Sequence, residues 1–215
     1  LPVGNWDLFG SHVLVISPVL LTVGFFLLSA EHTHKVIKRL ADTDPHNRIH
    51  NRRSVHLLAA NRLESAKRRQ QPFSCVTFDL DDLKTINDAY GHAAGDQALI
   101  FLATIGRQMI RSEDVFGRLG GDEFVVFMPY SDHQGAVALA DRFRSERARR
   151  PLIFDDEELT ITGSFGVATL LSGDTSPQDL LNRADGALYE AKAEGGNLVM
   201  ATHVRIGAEP GIATG

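Results

Sequence analysis

The sequence predicts a domain of mixed α/β class preceded by one membrane-spanning helix. Three observations carry this expectation. Between residues 51 and 201, segments with helical apolar spacing alternate with short runs of strand-forming residues. Two of those runs flank Gly120-Gly121, a hairpin signal. Residues 13–30 are eighteen positions without a charge. The chain of 215 residues is 43% hydrophobic and 23% charged, proportions that exclude a fibrous or broadly disordered protein.

Residues 1–12 carry a single charge, Asp7. The run VLVISPVLLTVGFFLLSA that follows spans roughly 27 Å as a helix, enough for a thin bilayer core. Pro18 and Gly24 weaken a soluble helix but are tolerated in a membrane. Lys35, Lys38 and Arg39 come next, which by the positive-inside rule puts the C-terminal side in the cytoplasm. A buried core helix or a cleaved signal peptide are the alternatives. A signal peptide wants basic residues before the apolar run and a small-x-small site after it, and neither is clear here. Residues 31–41 extend the helix, with Val36, Ile37 and Leu40 as a short apolar stripe, until Asp44-Pro45 breaks it. A basic helix follows over 51–70, with Val55, Leu58 and Leu63 apolar. Its exposed face suits plain solvation or, so near a membrane, anionic headgroups.

From Phe73 the pattern changes. FSCVTFDL (73–80) is a strand bounded by Gln71-Pro72 and Asp81-Asp82. Leu99, Leu102, Ile105 and Met109 have the spacing of a helix over 95–111. Strands at 115–119 and 123–129 join through Gly120-Gly121, where the turn needs positive φ. A helix over 132–149 turns Val137, Ala140 and Phe143 inward. Residues 159–168 form a strand in which Gly163 and Gly166 mark a bulge or a close backbone approach. Ser176-Pro177-Gln178-Asp179 starts a helix that stops at Gly195-Gly196. A short strand at 198–201 and a disordered tail complete the chain.

The net charge of −5 excludes nucleic-acid binding driven by overall positive charge. It is an average over unlike parts: residues 1–30 hold one acidic side chain, 31–70 hold ten Lys/Arg against four Asp/Glu, and 71–215 hold twelve against twenty-two. The mean hydropathy of −0.09 hides the same contrast. The lone Cys75 excludes an intramolecular disulfide framework and fits a reducing compartment, as a buried thiol on the first strand. Of nine histidines, His46 and His50 have i,i+4 spacing without a third ligand, His32 and His34 lie in the linker, and His92 suits a packed turn.

Two acidic groups converge on one chemistry. Asp79 closes a strand, with Asp81 and Asp82 beside it, and Asp122-Glu123 sit at the tip of the glycine hairpin. Carboxylates presented from neighbouring strand ends hold hard divalent cations beside a phosphate. Taken singly, acidic residues at turns are more often solvation and turn chemistry.

The run Arg118-Leu119-Gly120-Gly121-Asp122-Glu123-Phe124 resembles the signature of the GGDEF family, the diguanylate cyclases. Upstream, FDLDDLKTINDAYGHAAGDQAL (78–99) resembles the family block D-x-D-x-F-K-x-x-N-D-x-x-G-H-x-x-G-D, with Leu83 in place of Phe. GSFGVA (163–168) and ALYEAKAEGGN (187–197) resemble its later strand and final helix. The match runs in order from about 44 to 200. It implies a central, mainly antiparallel sheet flanked by helices, akin to the palm of polymerases and nucleotidyl cyclases. The domains expected are a flank (1–12), a transmembrane helix (13–30), a linker helix (31–44), the cyclase domain (45–201) and the tail (202–215).

The resemblance also implies a reaction: two GTP condense into cyclic di-GMP with release of pyrophosphate, in a homodimer whose domains each bind one GTP and face each other. By family position Asp79 and Glu123 are metal ligands for Mg²⁺ or Mn²⁺, assisted by the Leu80 carbonyl. Asp122 shares in metal binding or activates the attacking hydroxyl. Asn87 and Asp96 read the guanine edge, and the Asp disfavours adenine. Lys84 and Lys192 hold terminal phosphates, and Gly120 and Gly121 leave room for ribose and phosphate. Arg111-Ser112-Glu113-Asp114 matches the family's R-x-x-D product-inhibition motif, with Arg142 as a further arginine. Plain alternatives exist: Asn87 as a turn cap, Lys192 as a helix-end cation, Arg142 as a solvated arginine.

Three positions depart from the family pattern. The lead-in usually reads D-P-L-T-G-L-x-N-R-R, but here His46 replaces an apolar anchor and Arg48 a turn glycine. Gly196 stands where an arginine usually contacts phosphate, and Gly163 replaces a commonly β-branched residue. The expected setting is the inner or plasma membrane with the catalytic domain cytoplasmic. The alternative, from a different class, is an inactive receptor that binds GTP or cyclic di-GMP and signals through a protein partner.

Overall fold

The structure, a computed structural model, describes residues 49–202 and, ahead of them, position 26 alone. Apart from Phe26, the expected membrane span, the linker helix and the lead-in as far as Arg48 lie outside the described residues. So does the tail beyond Thr202. Among the described residues, no helix is long and apolar enough to cross a membrane.

The elements run β1 (His50–Asn51), α1 (Arg52–Arg69), β2 (Phe73–Leu80), α2 (Leu83–Tyr90), α3 (His92–Met109), β3 (Val115–Gly120), β4 (Glu123–Pro129), α4 (His133–Arg149), β5 (Leu152–Phe154), β6 (Glu157–Leu159), β7 (Gly163–Thr169), α5 (Pro177–Ala193) and β8 (Val199–Ala201). Six strands form one sheet in the order β1-β3-β4-β2-β7-β8, and β5 and β6 pair separately. The sheet is mixed. Its central pairings, β3 with β4, β4 with β2 and β2 with β7, are antiparallel, as expected, whereas β1–β3 and β7–β8 at its two edges are parallel. Each edge strand follows or precedes a helix that carries the chain across the sheet, the arrangement that parallel pairing requires.

Strand β2 is buried along its whole length because both faces of the sheet are covered. Period-2 alternation sends Val76, Phe78 and Leu80 into one core with α3 and α4. It sends Cys75 into the other, with Val55 and Leu63 of α1 and Leu180 and Ala184 of α5. Asp79, an even step from Cys75, therefore points to the α5 side. On the opposite face Phe78 sits at the centre of an aromatic cluster, with ring centroids 4.8 Å from Phe143, 5.2 Å from Phe165 and 5.5 Å from Phe124. This cluster backs the strand that carries Asp79.

Gly166 is the close approach the sequence anticipated. A Cβ there would stand 2.0 Å from the Ala184 carbonyl oxygen and 2.5 Å from the Leu188 nitrogen, so the backbone of α5 lies directly on β7. At its start, α5 has the capping box that Ser176 and Asp179 announce. Helix α1 is capped by Asn51, whose side chain accepts from the Ser54 N–H at 3.0 Å.

Three sequence expectations need correction. The helix expected over 95–111 begins earlier, at His92, and is preceded by a separate helix, α2, none of whose residues is fully buried. The strand expected from 159 begins at Gly163, because Leu159 ends a small hairpin instead. That hairpin turns on Asp155 (φ 48°) and Asp156 (φ 63°), both left-handed as a two-residue turn demands. Of the two hairpin glycines, only Gly121 (φ 47°) has positive φ, since Gly120 is still strand.

Candidate active site

Strands β2 and β4 run antiparallel, with Phe78 opposite Phe124, so the C-terminal end of β2 meets the N-terminal end of β4. That register brings Asp79 to the same edge of the sheet as Asp122 and Glu123, although more than forty residues of chain separate them. Asp79 is 7% exposed. The Lys192 ammonium, from the last turn of α5, pairs with its Oδ2. Its Oδ1 is buried and receives no donor. Burial pushes the Asp79 carboxyl up to about 6 against the pull of Lys192, and the nearby Asp122 charge adds to the rise.

The hairpin above is open. Glu123 is exposed and Asp122 half-buried. A Cβ placed on Gly120 or Gly121 would meet no atom within 4 Å. Gly121 needs its glycine for backbone reasons, but Gly120 has neither positive φ nor a crowding neighbour. The missing side chain at Gly120 therefore serves open space beside the carboxylates. Arg118 ties the turn back, donating from Nε to the Gly121 carbonyl at 2.7 Å.

The other expected residues fall around this edge. The Leu80 side chain is buried, and Leu80 lines a cleft of about 360 Å³ with Asp82, Lys192 and Gly196. Lys84 stands exposed on the first turn of α2. The Asn87 side chain lies over Gly95, where a Cβ would come within 2.1 Å of its Oδ1, so it adjoins the exposed Asp96. The Asn87 backbone carbonyl accepts from the Gly91 N–H at 2.9 Å, closing the end of α2.

A second group gathers elsewhere. Arg111, Asp114 and Arg142 line one cleft of about 280 Å³ with Met109 and Met128. The Asp114 Oδ2 accepts from the Arg111 backbone N–H at 2.8 Å, and its Oδ1 is buried without a donor. Burial raises the Asp114 carboxyl. Arg142 is fixed by an Nη2 hydrogen bond to the Met109 carbonyl at 2.9 Å.

Sequence reading missed Asp185. It lies on α5 seven residues before Lys192, hence on nearly the same helix face. Partial burial raises its carboxyl, the Thr77 hydroxyl counteracts this, and the charge of Glu123 adds to it. The i,i+7 spacing of Asp185 and Lys192 was the available signal.

Among the described residues, no group of three or more His, Cys, Asp or Glu side chains is arranged to hold a metal ion by itself. The residues nonetheless fit a hard cation such as Mg²⁺, which typically takes one or two carboxylates and completes its shell with water and phosphate oxygens. The orphaned Asp79 Oδ1, next to a second carboxylate at Asp122, is a donor set of that kind.

A family model described as the diguanylate cyclase GGDEF domain matches residues 41–198. A diguanylate cyclase of Vibrio cholerae is 36% identical over 159 residues, which cover 74% of this chain and 49% of that protein. Diguanylate cyclase A of Treponema denticola is 35% identical over 144 residues, covering 67% of this chain and 38% of that protein. The chain thus spans about half or less of the length of these relatives. Among solved structures, the GGDEF domain of DgcB from Caulobacter crescentus, in complex with c-di-GMP, superimposes with a TM-score of 0.72 at 29% identity, covering 75% of this chain and 95% of that one.

Proposed function

The chain belongs to the GGDEF family, and from that premise we propose that it is a diguanylate cyclase, condensing two GTP into cyclic di-GMP with release of two pyrophosphates. The observation that carries the reading is the meeting of Asp79, Asp122 and Lys192 beneath an open glycine hairpin. The 3′-hydroxyl of each nucleotide attacks the α-phosphorus of the other, so two domains face each other and the working form is a homodimer.

Asp79 and Glu123, with the Leu80 carbonyl, hold Mg²⁺ or Mn²⁺, which when bound neutralises charge on the reacting phosphates. Asp122 accepts the proton of the attacking hydroxyl or joins the metal ligands. Lys192 serves as counter-ion to Asp79; once that carboxylate is engaged elsewhere, its ammonium is free to turn to the terminal phosphates, with Lys84 of α2 as the second cation for them. Asn87 and Asp96 hold the guanine edge, and Gly120 and Gly121 admit ribose and phosphate. Positioning supplies much of the rate, because a bimolecular encounter of two nucleotides becomes a reaction between two held groups. Arg111, Asp114 and Arg142 form the place where product binds and restrains the enzyme. The apolar run at 13–30, with Lys35, Lys38 and Arg39 after it, tethers the cytoplasmic domain to the inner or plasma membrane.

The experiment is an assay with labelled GTP and Mg²⁺ that identifies the product. Cyclic di-GMP is expected, with specific activity rising with protein concentration as dimers form. One observation favours a second reading. Gly196 leaves Lys192 as the only cation among the described residues that lines the cleft over Leu80, which suits a receptor that binds nucleotide without turning it over. Protein that binds GTP yet makes no product, even when forced to dimerise, would establish that reading instead.

A further inference from the structure

Asp81 follows Leu80, and none of the roles above uses it. Its backbone N–H donates to the Thr162 carbonyl at 3.0 Å, fixing the point where the chain leaves β2. Its carboxylate then takes donors from two distant segments. Ser164 Oγ at the start of β7 donates to Oδ1 at 2.7 Å, and the Asn197 backbone N–H donates to Oδ2 at 2.9 Å. Asn197 closes the turn between α5 and β8, a run of three left-handed residues: Gly195 (φ 106°), Gly196 (φ 75°) and Asn197 (φ 52°). A Cβ on Gly196 would stand 3.1–3.2 Å from the Asp81 carboxyl atoms, so the turn is wrapped directly around this side chain. Gly195 and Gly196 spend their own N–H groups on the carbonyls of Lys192 and Ala191, at 3.2 and 3.1 Å, ending the helix.

Lysine binds phosphate as a point charge on a flexible four-carbon stem, so its accuracy depends on the backbone that carries it. Lys192 is in the last turn of α5, and last turns fray unless the chain beyond them is held. We infer that Asp81 is a positioning residue: it clamps the α5–β8 turn so that Lys192 stands between Asp79 and the cleft over Leu80. Left-handed residues in succession have little intrinsic preference for one geometry, and the carboxylate supplies it. The phosphate ligand in this inference rests on the cyclase reading above.

The test is a double-mutant cycle on the whole chain, with 3′-deoxy-GTP as a ligand that cannot react. Asp81→Ala is expected to weaken its binding about fivefold to tenfold in the wild-type background and less than about twofold in a Lys192→Met background, because the two residues act as one unit. Ser164→Ala, which removes one of the two donors, is expected to give a smaller loss in the same pattern. Hydrogen exchange is expected to quicken at residues 195–198 in Asp81→Ala while the amides of β2 and β4 stay protected. Should Asp81→Ala lose cooperative unfolding, Asp81→Asn keeps the shape and carries the cycle. Losses that multiply independently, or exchange that quickens throughout the sheet, would overturn the inference and leave the cyclase reading intact. Wild-type protein that binds no 3′-deoxy-GTP would overturn both.

Discussion

Helix α5 is tied to the body of the domain by two cation–carboxylate pairs, and the two are built to opposite ends. In its first half, Arg183 meets Asp174, which is 5% exposed. In its last turn, Lys192 meets Asp79, which is 7% exposed. Asp174 has every oxygen engaged: Arg183 Nη1 on Oδ1, and Arg183 Nη2 at 2.8 Å with the Leu171 N–H at 2.7 Å on Oδ2. Arg183 reaches the Thr169 carbonyl as well, at 2.9 Å. Asp79 has one lysine on one oxygen and nothing on the other. Burial works against both charges. At Asp174 the guanidinium overcomes it and the carboxyl falls below its ordinary value, whereas at Asp79 burial prevails and the carboxyl rises to about 6. A buried carboxylate with all its donors holds a fold together. One left short of donors contributes less to the fold and keeps an acceptor unspent.

The contrast is sharpest where each pair is cut. Asp79→Asn or Glu123→Ala is expected to lower cyclic di-GMP formation by at least ~100-fold, while the unfolding midpoint moves little, because the fold satisfies Asp79 on one oxygen only and its Lys192 partner is partly exposed. A loss of stability as large as the loss of turnover would erase the distinction. Arg183→Met should do the reverse. It strands Asp174, and since Arg183 is partly exposed the cost is expected near the low end for a buried pair, about 2–3 kcal/mol in denaturant unfolding, with turnover retained below the melting range.

The intermediate case is Asp114. Like Asp79 it has a buried oxygen without a donor. Asp114→Asn or Arg142→Ala is expected to raise the cyclic di-GMP concentration for half-inhibition about tenfold. Unchanged inhibition in both variants would separate this cleft from product. The smallest effect is in acid. The carboxyl of Asp174 is depressed when folded, so the stability it contributes is present above its unfolded value near 3.8 and disappears as pH falls through the lower folded value. The stability gap between wild type and Arg183→Met should therefore narrow from pH 5 to pH 3 in urea melts. A constant gap would mean that Arg183 acts through Thr169 alone.

Much of this could be read from sequence where a local rule governs. Strand β2 was visible as a run rich in Phe and Val between Gln71-Pro72 and Asp81-Asp82, and α5 because Ser176, Pro177 and Asp179 write its start in order. Helix α2 was not read as an element, since its eight residues are short for a helical period and Leu83 and Ile86 only lean on the core. The β5–β6 hairpin escaped because its turn is Asp155-Asp156, which carries no glycine to mark it. At the site, residue types and spacing named the carboxylates, but no spacing could show that Lys192 pairs with Asp79 or that Asn197 closes on Asp81. Those contacts join residues more than a hundred positions apart, and only the sheet register and the lie of α5 on Gly166 create them.

Strand β4 begins at Glu123 and passes Met128 at its far end, where the cleft of Arg111, Asp114 and Arg142 opens. Five residues at about 3.4 Å each put ~17 Å between the two places. Substitutions around Met128 can thus accumulate without touching the carboxylates beside Glu123, and the reverse holds too. A lineage can abandon one while keeping the other. For the same reason, a small molecule shaped for the methionine-lined cleft would bind away from the carboxylate edge and need not resemble what that edge holds.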